Sequence, residues 1–214
     1  MRRALRTLLS VGTFGAAFGL VEAAVVVYLR ALYYPDGFTF PLKPVAPDHL
    51  AVEMFREAAT IIMLLAVAVA AGGRGWERFG HFLTAFGVWD VFYYVWLFLF
   101  LRWPSSLLDV DVLFLLPVPW VGPVIAPVAV SLFMIWAGVV IVLRMETGKG
   151  FRPRVRSWLL AGAGVAALLF SWMRDLPAGL GRATPEPYLY PLLAAGLGLM
   201  VWGFLLACRE PRRG

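Results

Sequence analysis

Apolar residues run along this chain in six long stretches separated by short polar connections, over about Leu8 to Leu29, Leu50 to Ala71, Phe79 to Leu101, Val121 to Leu143, Ser157 to Met173 and Tyr188 to Cys208. Roughly 20 helical residues cross the hydrocarbon core of a bilayer, which is about 30 Å thick, whereas the apolar runs of a soluble core are shorter. The pattern predicts an all-α fold: a polytopic membrane helix bundle of six transmembrane helices, with residues 1–214 as a single transmembrane domain. The first run continues past Val21-Glu22-Ala23 through Val25-Val26-Val27, as an uncleaved anchor does and a short signal-peptide core does not. In the second stretch the part free of charge, Ala58 to Ala71, has only 14 residues, so spanning draws Glu53, Arg56 and Glu57 into the membrane.

One segment breaks the pattern. Asp109-Val110-Asp111 leads into Pro117-Val118-Pro119-Trp120-Val121-Gly122-Pro123, with Pro127 a turn further on. Proline removes a backbone donor and clashes with the preceding turn, so Val112 to Gly122 does not continue the fourth helix straight. Two readings stand side by side: a broken or re-entrant segment that lines a wet cavity, and a proline-kinked helix start packed against its neighbours.

Composition agrees with a lipid solvent, since 61% of residues are hydrophobic and 15% charged, against about 45–50% and 25% in soluble domains. The net charge of +6 does not imply nucleic acid, because the Lys and Arg residues sit in short connections rather than on one folded face. Their distribution orients the chain instead. The N-terminal tail (Arg2, Arg3, Arg6), the second connection (Arg74, Arg78), the fourth (Arg144, Lys149, Arg152, Arg154, Arg156) and the C-terminal tail (Arg209, Arg212, Arg213) hold 13 basic residues, and the other three connections hold 6. The positive-inside rule then places both termini in the cytoplasm. The lone Cys208 excludes an internal disulfide. Neither cysteine spacing nor the separated His49 and His81 suggests a metal site or a cofactor.

The candidate chemistry is carboxylate chemistry. Ionisable residues inside a membrane are costly and normally face the bundle interior with a partner. Glu22 shares a stripe with Gly12, Gly15 and Gly19, and so points at protein. Glu53, Arg56 and Glu57 have the spacing of an intrahelical ion pair with one acid in excess. Asp90 shares a stripe with Gly87, Tyr93 and Tyr94, which places the Tyr94 phenol a turn away. Convergence of Glu22, Arg56, Glu57 and Asp90 in one pocket is expected, with Arg56 paired to a carboxylate. Alternatively, Glu53, Arg56 and Glu57 face interfacial water and Glu22 serves a helix–helix hydrogen bond.

The strings Val21 to Arg30 (VEAAVVVYLR), Glu53 to Ala59 (EMFREAA), Gly87 to Tyr94 (GVWDVFYY) and Pro117 to Pro123 (PVPWVGP) together resemble an uncharacterised family of bacterial multi-pass membrane proteins. That resemblance implies a bacterial inner-membrane setting and brings no established activity.

Three functions remain open from the sequence. The first is a small transport or ligand-binding protein with a proton- or cation-linked acidic site in the outer half of the bundle. The second is a non-catalytic subunit or assembly factor with protein partners in the membrane. The third is an enzyme acting on lipid at the outer leaflet, which lacks any nucleophile–base pair, phosphate loop or metal motif in its favour. An enclosed polar chamber reached from outside favours the first and third, and a dry bundle with a flat apolar flank favours the second.

Overall fold

The computed structural model describes residues 1–73 and 75–209. Its elements, in order, are α1 (Arg2–Tyr33), α2 (Pro47–Ala71), α3 (Gly75–Leu101), β1 (Val110–Phe114), β2 (Trp120–Pro123), α4 (Ile125–Glu146), α5 (Val155–Met173), a single turn α6 (Leu176–Gly179) and α7 (Tyr190–Arg209). Six of these helices, all but α6, are long and apolar enough to cross a membrane. Large side chains such as Leu9, Phe55 and Phe170 are 72, 78 and 62% exposed, a surface that needs lipid rather than water against it. The protein is therefore a multi-pass membrane protein. Arg74, Arg212 and Arg213, which entered the charge count above, lie outside the described residues.

Helix ends extend beyond the apolar stretches because backbone hydrogen bonding, not side-chain polarity, ends a helix. α1 starts at Arg2 rather than near Leu8, and its 32 residues reach about 48 Å, longer than the bilayer core. The fourth helix departs from expectation in the other direction. It begins at Ile125, not Val121, because residues 120–123 are taken up by pairing with β1. The broken entry is thus a β-hairpin: Val110 pairs with Pro123, Asp111 with Gly122, Val112 with Val121 and Phe114 with Trp120, with an irregularity between Val112 and Phe114. Pro127 falls in the first turn of α4, where an amide has no intrahelical acceptor and proline costs nothing in hydrogen bonds.

α3 is the central helix, packed against α1, α2 and α4. Small residues set these approaches. A Cβ on Gly87 would lie 2.5 Å from the Ser131 carbonyl oxygen of α4, so any larger residue would push the two helices apart. α5 and α7 form a second tight pair, which meets the rest through β2, α6 and a thin contact of α7 with α4. There Trp120 stacks on Trp172 with ring centroids 5.6 Å apart. At the opposite end of the bundle from the hairpin, the N-terminal ammonium bonds to the Glu146 carboxylate at 2.8 Å.

Candidate functional site

The site begins with a close helix approach. A Cβ on Gly19 would lie 2.8 Å from the Trp89 carbonyl oxygen, so α1 meets α3 this closely only through glycine. The next turn of that α1 face holds Glu22, which is 8% exposed. Arg56 of α2 bridges two acids. Its Nη1 donates to Glu22 Oε1, while Nε and Nη2 reach Glu53 Oε2 at 2.9 and 2.8 Å. Thr60, one turn along α2, donates to Glu22 Oε2 at 3.2 Å. Charged partners on both edges keep this guanidinium satisfied where hydration is poor.

Glu57 and Asp90 have no ion-pair partner among the described residues. Both Glu57 oxygens accept the Leu115 backbone N–H, at 2.9 and 3.1 Å, which ties α2 to the loop between the strands. Asp90 accepts a hydrogen bond from the Ser131 hydroxyl of α4 at 2.8 Å.

A second buried ion pair closes the same end of the bundle. Arg30, near the end of α1, donates from Nη2 to Asp111 Oδ1 on β1 at 3.2 Å, and both side chains are at most 10% exposed. The Arg30 guanidinium carbon lies 3.7 Å from the Trp103 ring centroid and 4.4 Å from that of Phe38, in the corner between two rings that meet edge to face at 77°. One cation therefore fastens three connections: Phe38 from the loop after α1, Trp103 from the loop after α3, and Asp111 from the hairpin. Burial pushes the Asp111 carboxyl up to about 6, against the pull of Arg30. Its Oδ2 is buried without a hydrogen-bond partner.

These groups wall a cavity of about 420 Å³, within the range of small-molecule sites. Glu22, Glu53, Arg56, Glu57 and Asp90 all line it, as do Arg30 and Asp111. Most of the remaining wall is apolar, including Val26, Leu29, Leu50, Trp89 and Phe114. Residues 34–45 and 179–181 form the roof. The Tyr33 hydroxyl pins the roof by bonding to His49 Nδ1 at 2.6 Å and accepting the Ala46 N–H at 3.2 Å. Gly181, at a φ of 69°, lies so close to Leu42 that a Cβ there would be 2.6 Å from the Leu42 carbonyl oxygen. Only glycine suits that backbone and that distance.

Two sequence expectations are redistributed. Tyr94 is not on the cavity wall; it is buried with Ala23, Leu97 and Val124, while Tyr93 lines the cavity. Glu57 leaves the Glu53–Arg56 pair and turns to the hairpin. Of the proline-rich segment, Pro119 reaches the cavity wall, whereas Trp120 packs on Trp172, Gly122 faces Trp172 and Tyr188, and Pro123 pairs in β2. Pro117 sits in the connection between the strands, off the cavity wall. The sequence reading missed the Arg30–Asp111 pair because it treated Arg30 as a topology charge. The signal available was the Asp-Val-Asp run facing a lone arginine at the same end of the bundle.

Fold and site together define the class: a six-span membrane protein with a partly covered cavity, in which five carboxylates, two guanidinium groups and the Lys43 ammonium sit in an otherwise apolar wall. The chain matches no protein-family model, no curated protein and no solved structure. The multi-pass class accordingly rests on the six apolar helices.

Proposed function

We propose that the chain is a small-ligand binding or transport protein of the bacterial inner membrane, with both termini in the cytoplasm and the acidic chamber in the outer half of the bundle. The ligand has an apolar body and a positive charge, and its binding is linked to protons. The observation that carries this reading is the charge surplus in the cavity, five carboxylates against Arg30, Arg56 and Lys43: the arginines pair with Asp111, Glu22 and Glu53, and Glu57 and Asp90 are left with neutral donors only. In an apolar wall such carboxyls either hold protons or take a cation. A roofed cavity of this kind favours a ligand site over a dry subunit that serves only to pack against partners.

Tetraphenylphosphonium, a permanent apolar cation, separates the protein's protonation from that of the probe. Titrated into purified protein in detergent, it is expected to bind saturably, more weakly at pH 5 than at pH 8. The paired substitution of Glu57→Gln and Asp90→Asn is expected to weaken binding on the order of tenfold or more, and to reduce its pH dependence to what Asp111 on the same wall supplies. Binding that is unchanged in that variant sinks the reading.

The orientation has its own test. Reporters fused after Arg213 or within residues 144–156 are expected to read cytoplasm, and those within residues 35–47 or 178–187 to read the exterior. A cytoplasmic signal from residues 35–47 overturns the placement of the chamber in the outer half.

A further inference from the structure

A second cavity, of about 330 Å³, lies between the α3–α4 pair and the α5–α7 pair, away from the acidic chamber. Its wall is apolar, with Leu83 and Phe133 on one side and Val165, Leu168 and Phe204 on the other; Ser157 supplies the sole hydroxyl. From Ser157 to Trp172 the groove follows about 22 Å of α5, most of the depth of a bilayer core. One end is ringed by aromatic side chains: Trp76 lies 4.9 Å from Phe151 and 6.1 Å from Trp158 between ring centroids, as at a membrane interface.

The polar features gather at that same end. α5 starts beside Phe151 and Pro153 with no side-chain cap on its first amides, so a helix N-terminus is left open to an anion. Ser157, in the first turn of α5, is 3% exposed and lines the groove, and its Oγ has no hydrogen-bond partner. Arg152, Arg154 and Arg156 are exposed around this point, and none forms an ion pair among the described residues. Open amides, a buried hydroxyl without a partner and three uncompensated cations sit at the mouth of a long apolar groove.

We infer that this groove holds one anionic phospholipid, with an acyl chain between the two helix pairs and its phosphate at the N-terminus of α5 among Arg152, Arg154 and Arg156. The acyl chain fills space that the protein leaves between α4 and α7. The phosphate takes up the first amides of α5, in the turn that holds Ser157. A zwitterionic lipid supplies the same chain but a headgroup whose own cation opposes the arginines.

The test uses the full chain in phosphatidylcholine nanodiscs containing a minor fraction of lipid with brominated acyl chains, either phosphatidylglycerol or phosphatidylcholine. Quenching is read as the signal lost on replacing Trp76 and Trp158 with Phe. Brominated phosphatidylglycerol is expected to quench at lower mole fraction than brominated phosphatidylcholine. Replacing Arg152, Arg154 and Arg156 together with Gln is expected to weaken this preference on the order of a hundredfold, as about 1 kcal/mol per basic residue implies. Val165→Phe, which narrows the groove, is expected to reduce quenching by both lipids. Should that variant fail to fold, the arginine variant, altered only at exposed positions, still decides. Equal quenching by the two lipids, an unchanged preference in the arginine variant, or native mass spectra showing a second protein chain in place of a retained lipid each overturn the inference.

Discussion

Replacing Arg56 with Ala is expected to destabilise the folded protein by about 3–5 kcal/mol near neutral pH, the usual cost of removing one partner from a buried ion pair. The size of the effect follows from geometry, because one guanidinium serves both Glu22 and Glu53 and its removal strands two carboxylates together. The deficit has a sign with pH. Arg56 stabilises the ionised acids, so its absence is felt most where they are charged, and protonation at low pH removes the stranded charge. Thermal unfolding in detergent micelles should therefore show a gap between wild type and Arg56→Ala that narrows as pH falls from 8 to 5. Adding Glu22→Gln and Glu53→Gln to Arg56→Ala should restore most of the loss, since amides leave no charge to strand. A gap independent of pH, with no rescue by the amides, would mean that Arg56 acts through packing alone.

Arg30→Ala is expected to cost a similar amount, about 3–5 kcal/mol, by leaving Asp111 buried and unpaired. Loss of the cation–π contacts with Phe38 and Trp103 adds about 1–2 kcal/mol for each desolvated face. The consequence differs from that of Arg56→Ala, because Arg30 fastens the roof rather than the floor. A cysteine placed at Leu42 on the wall of the chamber should react with a membrane-impermeant maleimide many times faster in the Arg30→Ala background, while Cys208 at the far end of α7 keeps its rate. An Arg30→Lys change is expected to recover little, since an ammonium lacks the extended planar group that reaches two rings and a carboxylate at once. Unchanged labelling of Leu42→Cys in Arg30→Ala would remove Arg30 from the role of a latch.

That Glu22 and Arg56 fall at one level of the bundle was legible, because the helical rise fixes where a residue falls along a span. The glycine stripe of α1 likewise announced which face of Glu22 meets protein. Partner choice was less legible. Arg56 follows Glu53 by three residues and is adjacent to Glu57, so local spacing favours Glu53 and leaves Glu57 as the acid in excess. In the fold Glu22 takes the other edge of the guanidinium, and the β-hairpin presents the Leu115 amide to Glu57.

Sequence by itself determined the six spans, the breaking of the chain ahead of α4 and the presence of acids within apolar helices, since each depends on local terms: apolar length, proline stereochemistry and charge. Tertiary structure alone decided that residues 110–123 form a hairpin, that Arg30 reaches Asp111 across 81 positions of chain, and that Tyr93 rather than Tyr94 faces the chamber. Those outcomes depend on which helix faces meet. Adjacent tyrosines on a helix point about 100° apart, and a few tens of degrees of helix rotation, set by contacts such as Gly19 on Trp89 and Gly87 on Ser131, selects between them.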